Sequence, residues 1–303
     1  MSLGEVISVN EPVVKGGKCS VEVFIKREDK IHPDVSGNKY RKLKYNIEKA
    51  LIEGFDTLLT FGGAFSNHIA ATAAAGKIYG VKTIGVIRGE ELELKINKNP
   101  TLLYAQQCGM QFKFVSRGVY REKYSESFIN SLKKEFEDFY IVPEGGTNTL
   151  AIKGCEEILT GADSEYNYVC VPVGTGGTIS GIINSTKTSQ KVLGFSALKG
   201  DFLIEDISKF AKQDNWQLVN NYHFGGYAKI NTELITFINQ FKKDYNIPLD
   251  PVYTGKMMYG VFDMIKNNYF PSGSKILIIH TGGLQGIKGM NIRLQQKKLP
   301  LIQ

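Results

Sequence analysis

Lys39 stands in the stretch "SGNKYRKLKYNI", Ser36 to Ile47, where four basic residues, Lys39, Arg41, Lys42 and Lys44, crowd into six positions. A charge run of this kind is ordinarily the solvated face of a helix. Lys39 differs in its setting. It follows Gly37 and Asn38 and opens a helix, where a cation opposes the helix dipole, while Tyr40 and Leu43 carry the apolar stripe. A lysine amine can form an imine with a carbonyl group. A second stretch, "VPVGTGGTISG" from Val171 to Gly181, runs strand, glycine-rich turn, helix. That layout offers backbone N–H groups at a helix N-terminus to a phosphate. Gly174, Gly176 and Gly177 with Thr175 and Thr178 are more than a tight turn needs. The loop is no Walker motif, because no Gly-Lys-Ser/Thr follows, and Ile179 stands where a dinucleotide fingerprint needs its third glycine.

Other loops raise the same question less sharply. In "TFGGAFSNHIAA", Ser66 and Asn67 fall where a helix begins. Either can be an N-cap, or the pair and the free N–H groups can hold a carboxylate or a ring oxygen; His68 alone reads as structural. "PEGGTNTLA" reads first as a helix cap and "IIHTGGLQG", with Thr281, as a turn. Tyr227 in "FGGYAKIN" and Tyr253 in "DPVYTGKMM" each sit in a loop beside glycine and before a helix, among 15 tyrosines. A phosphate loop together with an oddly placed lysine points to a phosphate-bearing aldehyde, and pyridoxal 5'-phosphate needs both parts.

The elements that must position these residues alternate. Strands are expected at "SVEVFIKRED", "DTLLTF", "KTIGVI", "QFKFV", "FYIVPEGGTN", "YNYVCVPV", "KVLGFSA", "WQLVN" and "KILIIHTGG". Helices are expected from Tyr40 to Leu51, in the Ala-rich segment ending at Gly80, after the Asn99-Pro100 start, and over Arg121–Phe136, Thr149–Leu159 and "ISGIINSTK". Three more follow near Leu203–Ala211, over "NTELITFINQFKKDY" and over "KMMYGVFDMIKNN". Such alternation predicts an α/β protein, with mostly parallel twisted sheets covered by helices on both faces and ligands beyond the carboxyl ends of the strands.

The chain's 303 residues suggest about two domains. No apolar run reaches the ~18 residues of a membrane span, and no signal peptide is evident, so a cytoplasmic protein with no membrane partner is expected. Cys19, Cys108, Cys155 and Cys170 are as scattered as the four histidines, which argues against a disulfide framework and a metal site. The net charge of +7 is spread along the chain beside acids, without the basic-aromatic interleaving of RNA-binding proteins. A small anionic ligand rather than nucleic acid is expected.

Six blocks, "KREDKIHPDVSGNKYRKLKYNI", "TFGGAFSNHIAATAAAG", "GTGGTISGI", "GGYAKIN", "DPVYTGKMMYG" and "ILIIHTGG", together resemble the family of 1-aminocyclopropane-1-carboxylate deaminases and D-cysteine desulfhydrases. They occur in the family's order and cover most of the chain. The resemblance implies pyridoxal phosphate on a tryptophan-synthase-β type of fold (fold type II) and a homodimer. It implies a large domain from residues 1–41 and 151–303, with a smaller one inserted at 42–150. It makes Lys39 the Schiff-base lysine and gives the phosphate to Gly174, Thr175, Gly176, Gly177 and Thr178. Asn67 would meet the cofactor's ring oxygen and Ser66 the substrate carboxylate, with His68 on the substrate side. Tyr227 and Tyr253 match the two active-site tyrosines, and a phenol near a cationic imine is expected to have a lowered pKa.

Deaminases of this family carry Glu after the second tyrosine, facing the pyridine nitrogen, and Leu before the last Gly-Gly. This chain has Thr254 and Thr281, as the desulfhydrase branch does. The expected activity is therefore β-elimination from a small amino acid, foremost D-cysteine, giving pyruvate, ammonia and sulfide. Cyclopropane deamination is the alternative. A catalytically silent cofactor-binding protein is the rival from another class, and a plain nucleotide-binding protein a weaker one.

Overall fold

The computed structural model describes residues 6–15, 21–35, 37–200 and 203–303; Ser36 and Cys19 lie outside them. Two sheets organise the chain. The first takes strands from both ends of the sequence, in the order β1 (Asn10–Val14), β2 (Glu22–Lys26), β10 (Lys275–Ile279), β7 (Tyr168–Val173), β8 (Lys191–Ser196), β9 (Trp216–Val219). Only β1 is antiparallel to its neighbour. The second is all parallel, in the order β5 (Gln111–Val115), β4 (Lys82–Arg88), β3 (Thr57–Gly63), β6 (Tyr140–Val142). Strands buried on both faces need apolar residues throughout, which is why "VCVPV" and "TLLTF" do not alternate with polar residues.

Helices cover both sheets. Against the first pack α7 (Gly177–Ser185), α9 (Thr232–Tyr245) and α10 (Thr254–Lys266); Ile179, Ile182, Leu234, Ile238, Met257 and Val261 are buried there. Against the second lie α1 (Asn38–Ile52), α2 (Asn67–Tyr79) and α3 (Pro100–Gln107). In α1 the buried stripe is Tyr40, Leu43, Ile47 and Ala50, while Leu51, expected to share it, is exposed. The 42–150 cut suggested by the resemblance falls inside α1, which runs unbroken and packs on α6 (Thr149–Glu156). Gly154 permits that approach, since a Cβ there would lie 1.9 Å from the Arg41 carbonyl oxygen.

Three differences from the sequence reading have local causes. The helix expected over Arg121–Phe136 is two, α4 (Arg117–Arg121) and α5 (Glu126–Phe136), because Ser116 and Ser125 each accept an N–H of a new first turn. Strand β1 was not foreseen. Neither was α11 (Gly286–Gln296), which begins at a glycine with no side-chain cap.

Each sheet has one topological switch point. In the first, chain order runs from β7 through β8 to β9 on one side, whereas β10 lies on the other. In the second, β3 leads to β4 and β5 one way and β6 flanks it the other way. Switch points open crevices at the carboxyl ends of the strands. The loops there are 174–176 and 280–285 in the first sheet, and 64–66 and 143–148 in the second.

Candidate active site

All four loops line one cavity of about 550 Å³. The structure brings Lys39, Ser66, Asn67, His68, Gly174, Thr175, Gly176, Thr178, Tyr227, Tyr253 and Thr281 to its wall. Thr254 is not among the lining residues. Its hydroxyl is 2.7 Å from the Asp250 carboxylate and accepts the Asp250 N–H at 2.8 Å, and it is fully buried. Asp250 in turn accepts the N–H groups of Val252, Tyr253 and Thr254 and so caps α10. The threonine expected to face the cofactor ring is instead tied into a helix start.

The basic run divides cleanly. Arg41 pairs with the buried Glu28 carboxylate at 2.9 Å, and Lys44 with Glu157 at 2.7 Å. Lys39 and Lys42, one turn apart and therefore on one helix face, turn the other way and, among the described residues, meet no carboxylate. Both point at the Gly145 carbonyl oxygen, Lys39 Nζ at 3.4 Å and Lys42 Nζ at 2.9 Å. Burial lowers the Lys39 pKa well below the usual lysine value, and the neighbouring Lys42 charge lowers it further. Burial brings Lys42 to about 8. The lowered pKa favours the neutral amine, the form that attacks a carbonyl.

The start of α1 is fixed to its surroundings. Gly37, at φ +64°, lets the chain pass the Thr281 carbonyl, which a Cβ would approach to 2.0 Å. Asn38 donates its backbone N–H to that same oxygen at 3.3 Å and its side-chain N–H₂ to Thr178 Oγ1 at 2.8 Å. His280 shapes the turn after β10, its Nδ1 accepting the Gly282 N–H while Nε2 donates to the Pro248 carbonyl.

The glycine loop fits a phosphate. No side chain caps α7, so its first-turn N–H groups lack intrahelical partners. A Cβ on Gly177 would lie 3.1 Å from Lys42 Nζ and 2.9 Å from Thr147 Oγ1, so this start of α7 must stay bare beside a cation. Lys42 also donates to Thr147 Oγ1 at 3.0 Å, and Thr147 and Thr175 share a hydrogen bond of 2.7 Å. An uncapped helix start, a buried cation and two hydroxyls form an anion cradle. Lys42, Asn38 and Thr147 were missed in the sequence. For Lys42 a signal existed, its spacing of three from Lys39.

Opposite lies the start of α2. Ser66 is its N-cap, accepting the N–H groups of His68 and Ile69 at 3.2 and 3.4 Å, and its hydroxyl proton stays free to donate. His68 is 1% exposed. Thr60 gives its hydroxyl proton to the Val142 carbonyl, so His68 Nε2, 2.8 Å away, donates to Thr60 and Nδ1 keeps its lone pair. Among the described residues Nδ1 is buried without a hydrogen bond of good geometry. Burial, then Lys39 and Lys42, hold the ring's pKa well below the usual histidine value, so it is neutral.

The two tyrosines meet edge to face, with ring centroids 6.2 Å apart. Tyr253 lies against the glycine loop, 3.0 Å from where a Cβ on Gly174 would be. Tyr227 rides on a turn that Lys256 ties to α10 through two 2.8 Å bonds to the carbonyls of His223 and Gly226. The lowering expected of these phenols needs the positive charge of a bound imine; the protein's own groups act in the opposite direction. Burial raises Tyr253 well above its ordinary value, Tyr227 and Asp250 add to this, and burial raises Tyr227 as well. Both phenols therefore keep their protons at neutral pH.

A family model for pyridoxal-phosphate dependent enzymes matches residues 11–282. A protein of Arabidopsis thaliana named bifunctional D-cysteine desulfhydrase/1-aminocyclopropane-1-carboxylate deaminase, mitochondrial, is 31% identical over 88% of this chain and 73% of its own. A 1-aminocyclopropane-1-carboxylate deaminase of Bradyrhizobium is 27% identical over 90% and 89%. A crystal structure of an ACC deaminase homologue superposes with a TM-score of 0.78 at 29% identity, covering 92% of this chain and 90% of the other. An O-acetylserine dependent cystathionine β-synthase from Helicobacter pylori, 14% identical at a TM-score of 0.62 over 93% of each chain, shares the fold. Among the described residues no helix is long and apolar enough to cross a membrane. A match over nearly the whole chain, with the Lys39 amine and an anion cradle on one cavity, places the protein among the pyridoxal-phosphate dependent lyases, in the family of 1-aminocyclopropane-1-carboxylate deaminases and D-cysteine desulfhydrases.

Proposed function

We propose that this protein eliminates sulfide from D-cysteine, releasing pyruvate and ammonia after hydrolysis. The observation that carries the reading is the meeting, on one cavity, of the Lys39 amine and the uncapped start of α7 with its buried Lys42. Lys39 would hold pyridoxal phosphate covalently, residues 174–178 and Lys42 its phosphate, and Asn67 its ring oxygen. When bound, the cofactor supplies an electron-withdrawing ring that stabilises negative charge at the substrate α-carbon.

The remaining roles belong to the chain's own groups. The Ser66 hydroxyl and the start of α2 bind the substrate carboxylate, as a helix N-terminus favours. The Lys39 amine, whose neutral form the lowered pKa favours, takes the α-proton. Tyr253 Oη keeps its proton and would give it to the departing sulfur, and Tyr227 packs against it.

Thr281 supports D-cysteine over the cyclopropane amino acid. It lines the cavity where deaminases of the resembled pattern carry leucine. The test is pyruvate release across D-cysteine, L-cysteine, β-chloroalanine, D-serine and the cyclopropane amino acid, with sulfide measured in parallel. D-cysteine should give equal pyruvate and sulfide at the highest kcat/KM. Cofactor-loaded protein without turnover on any of them would favour a silent binding protein.

A further inference from the structure

Gln285 lies at the N-cap position of α11, just past the Thr281–Gly283 turn, and lines the cavity. Its side chain leaves the first sheet's half of the molecule and reaches two helices that cover the second sheet. Its Oε1 is 3.0 Å from the hydroxyl of Thr101, a fully buried residue in the first turn of α3. Its Nε2 donates a short hydrogen bond to Asn67 Oδ1. On the other side of Asn67, Nδ2 is 2.7 Å from where a Cβ on Gly283 would stand. Glycine at that position leaves the Asn67 amide its room.

A primary amide is an acceptor at one end and a donor at the other. The Thr101 hydroxyl donates to Oε1, and Gln285 presents its N–H₂ group to Asn67. Asn67 then accepts through Oδ1 and turns its own N–H₂ group away, toward Gly283. We propose that Gln285, oriented by Thr101, is a positioning residue that fixes the polarity of the Asn67 amide so that Asn67 offers a donor to the cofactor's ring oxygen. This rests on the reading of Asn67 given above. The same relay ties the 280–285 loop to α2 and α3, so the donor is in place only when the two halves of the cavity are together.

The test is the affinity of the apoprotein for pyridoxal phosphate, read from its visible absorbance, with the pH midpoint of that band as a second readout and apoprotein melting as a control for folding. Gln285→Met and Thr101→Val should each weaken binding about tenfold, the scale of one lost hydrogen bond, and move the pH midpoint. Gln285→Glu, closer in shape, should do worse than Gln285→Met. A carboxylate only accepts, so Asn67 must donate to it and turn its oxygen toward the ring oxygen. In an Asn67→Ala background none of the three should weaken binding further or move the midpoint.

Gln285 variants that bind as the parent does would overturn the proposal. So would losses that persist undiminished in the Asn67→Ala background, which would show that Gln285 acts by closing the cavity or by charge alone. An Asn67→Ala protein with parental affinity and spectrum would remove the reading of Asn67 itself, and the proposal with it, whatever Gln285 does.

Discussion

Lys42→Met separates binding from stability. Lys42 is 1% exposed, has no carboxylate partner among the described residues, and its pKa is brought to about 8 by burial. The folded-state pKa lies below the unfolded one, so between them the unfolded chain binds the extra proton and stability rises with pH. The ~2.5-unit gap corresponds to a penalty on the order of 3 kcal/mol at pH 7, relieved as pH rises from about 8 toward 10.5. Methionine keeps the stem's bulk and removes the charge, at the loss of charge-assisted hydrogen bonds to Gly145 and Thr147 worth about 1.5–3 kcal/mol each, which offsets the relief of that penalty. The apoprotein should therefore melt near the parent at pH 7, and its melting point should rise less between pH 8 and 10. Cofactor affinity should move the other way. A charge-assisted bond to phosphate is worth about 1.5–3 kcal/mol, so binding should weaken roughly 10- to 150-fold. Pyridoxine 5'-phosphate, which has no aldehyde, isolates this term from chemistry at Lys39, and its affinity for the parent should fall as pH rises through about 8. A variant that melts lower yet binds this probe like the parent would refute the reasoning and make Lys42 a structural lysine.

Tyr253→Phe removes a proton donor and leaves the ring against Gly174; kcat should drop about 100-fold with cofactor affinity unchanged, and parental turnover would demote Tyr253 to packing. Lys256→Met frees the turn that carries Tyr227, so KM should rise severalfold while cofactor affinity holds, as substrate titrations would show. Thr281→Leu sets methyl groups on the cavity wall and should lower the preference for D-cysteine over the cyclopropane amino acid about tenfold, a barrier difference of ~1.4 kcal/mol. It is a cleaner probe than a change at Thr254, where a larger acid would collide with the buried Asp250 carboxylate.

Much of this was legible because its causes are local. Asn99-Pro100 and Gly80 mark helix ends through their own conformational limits, Gly80 at φ +67°, and the glycine loop announces an uncapped helix. What escaped depends on residues distant in sequence. Lys42 meets Thr147, 105 positions away, and Gln285 meets Asn67, 218 positions away; no periodicity reports either. Thr254 is a local case that was missed all the same. As the residue after Tyr253 it could be matched to a pattern, but the Asp250 carboxylate four positions before it claims its hydroxyl as part of the helix cap. Ser66 shows the reverse. It is the N-cap that local rules allow, and it still lines the cavity.

Lys39, rather than its neighbour Lys42 on the same helix face, is the lysine proposed to carry the cofactor. Borohydride reduction of the holoprotein followed by peptide mapping tests it most directly. The label should fall on the peptide containing Lys39 in the parent and in Lys42→Met, and should be lost in Lys39→Ala. Label on Lys42 or on any other lysine of the unsubstituted protein would contradict the account.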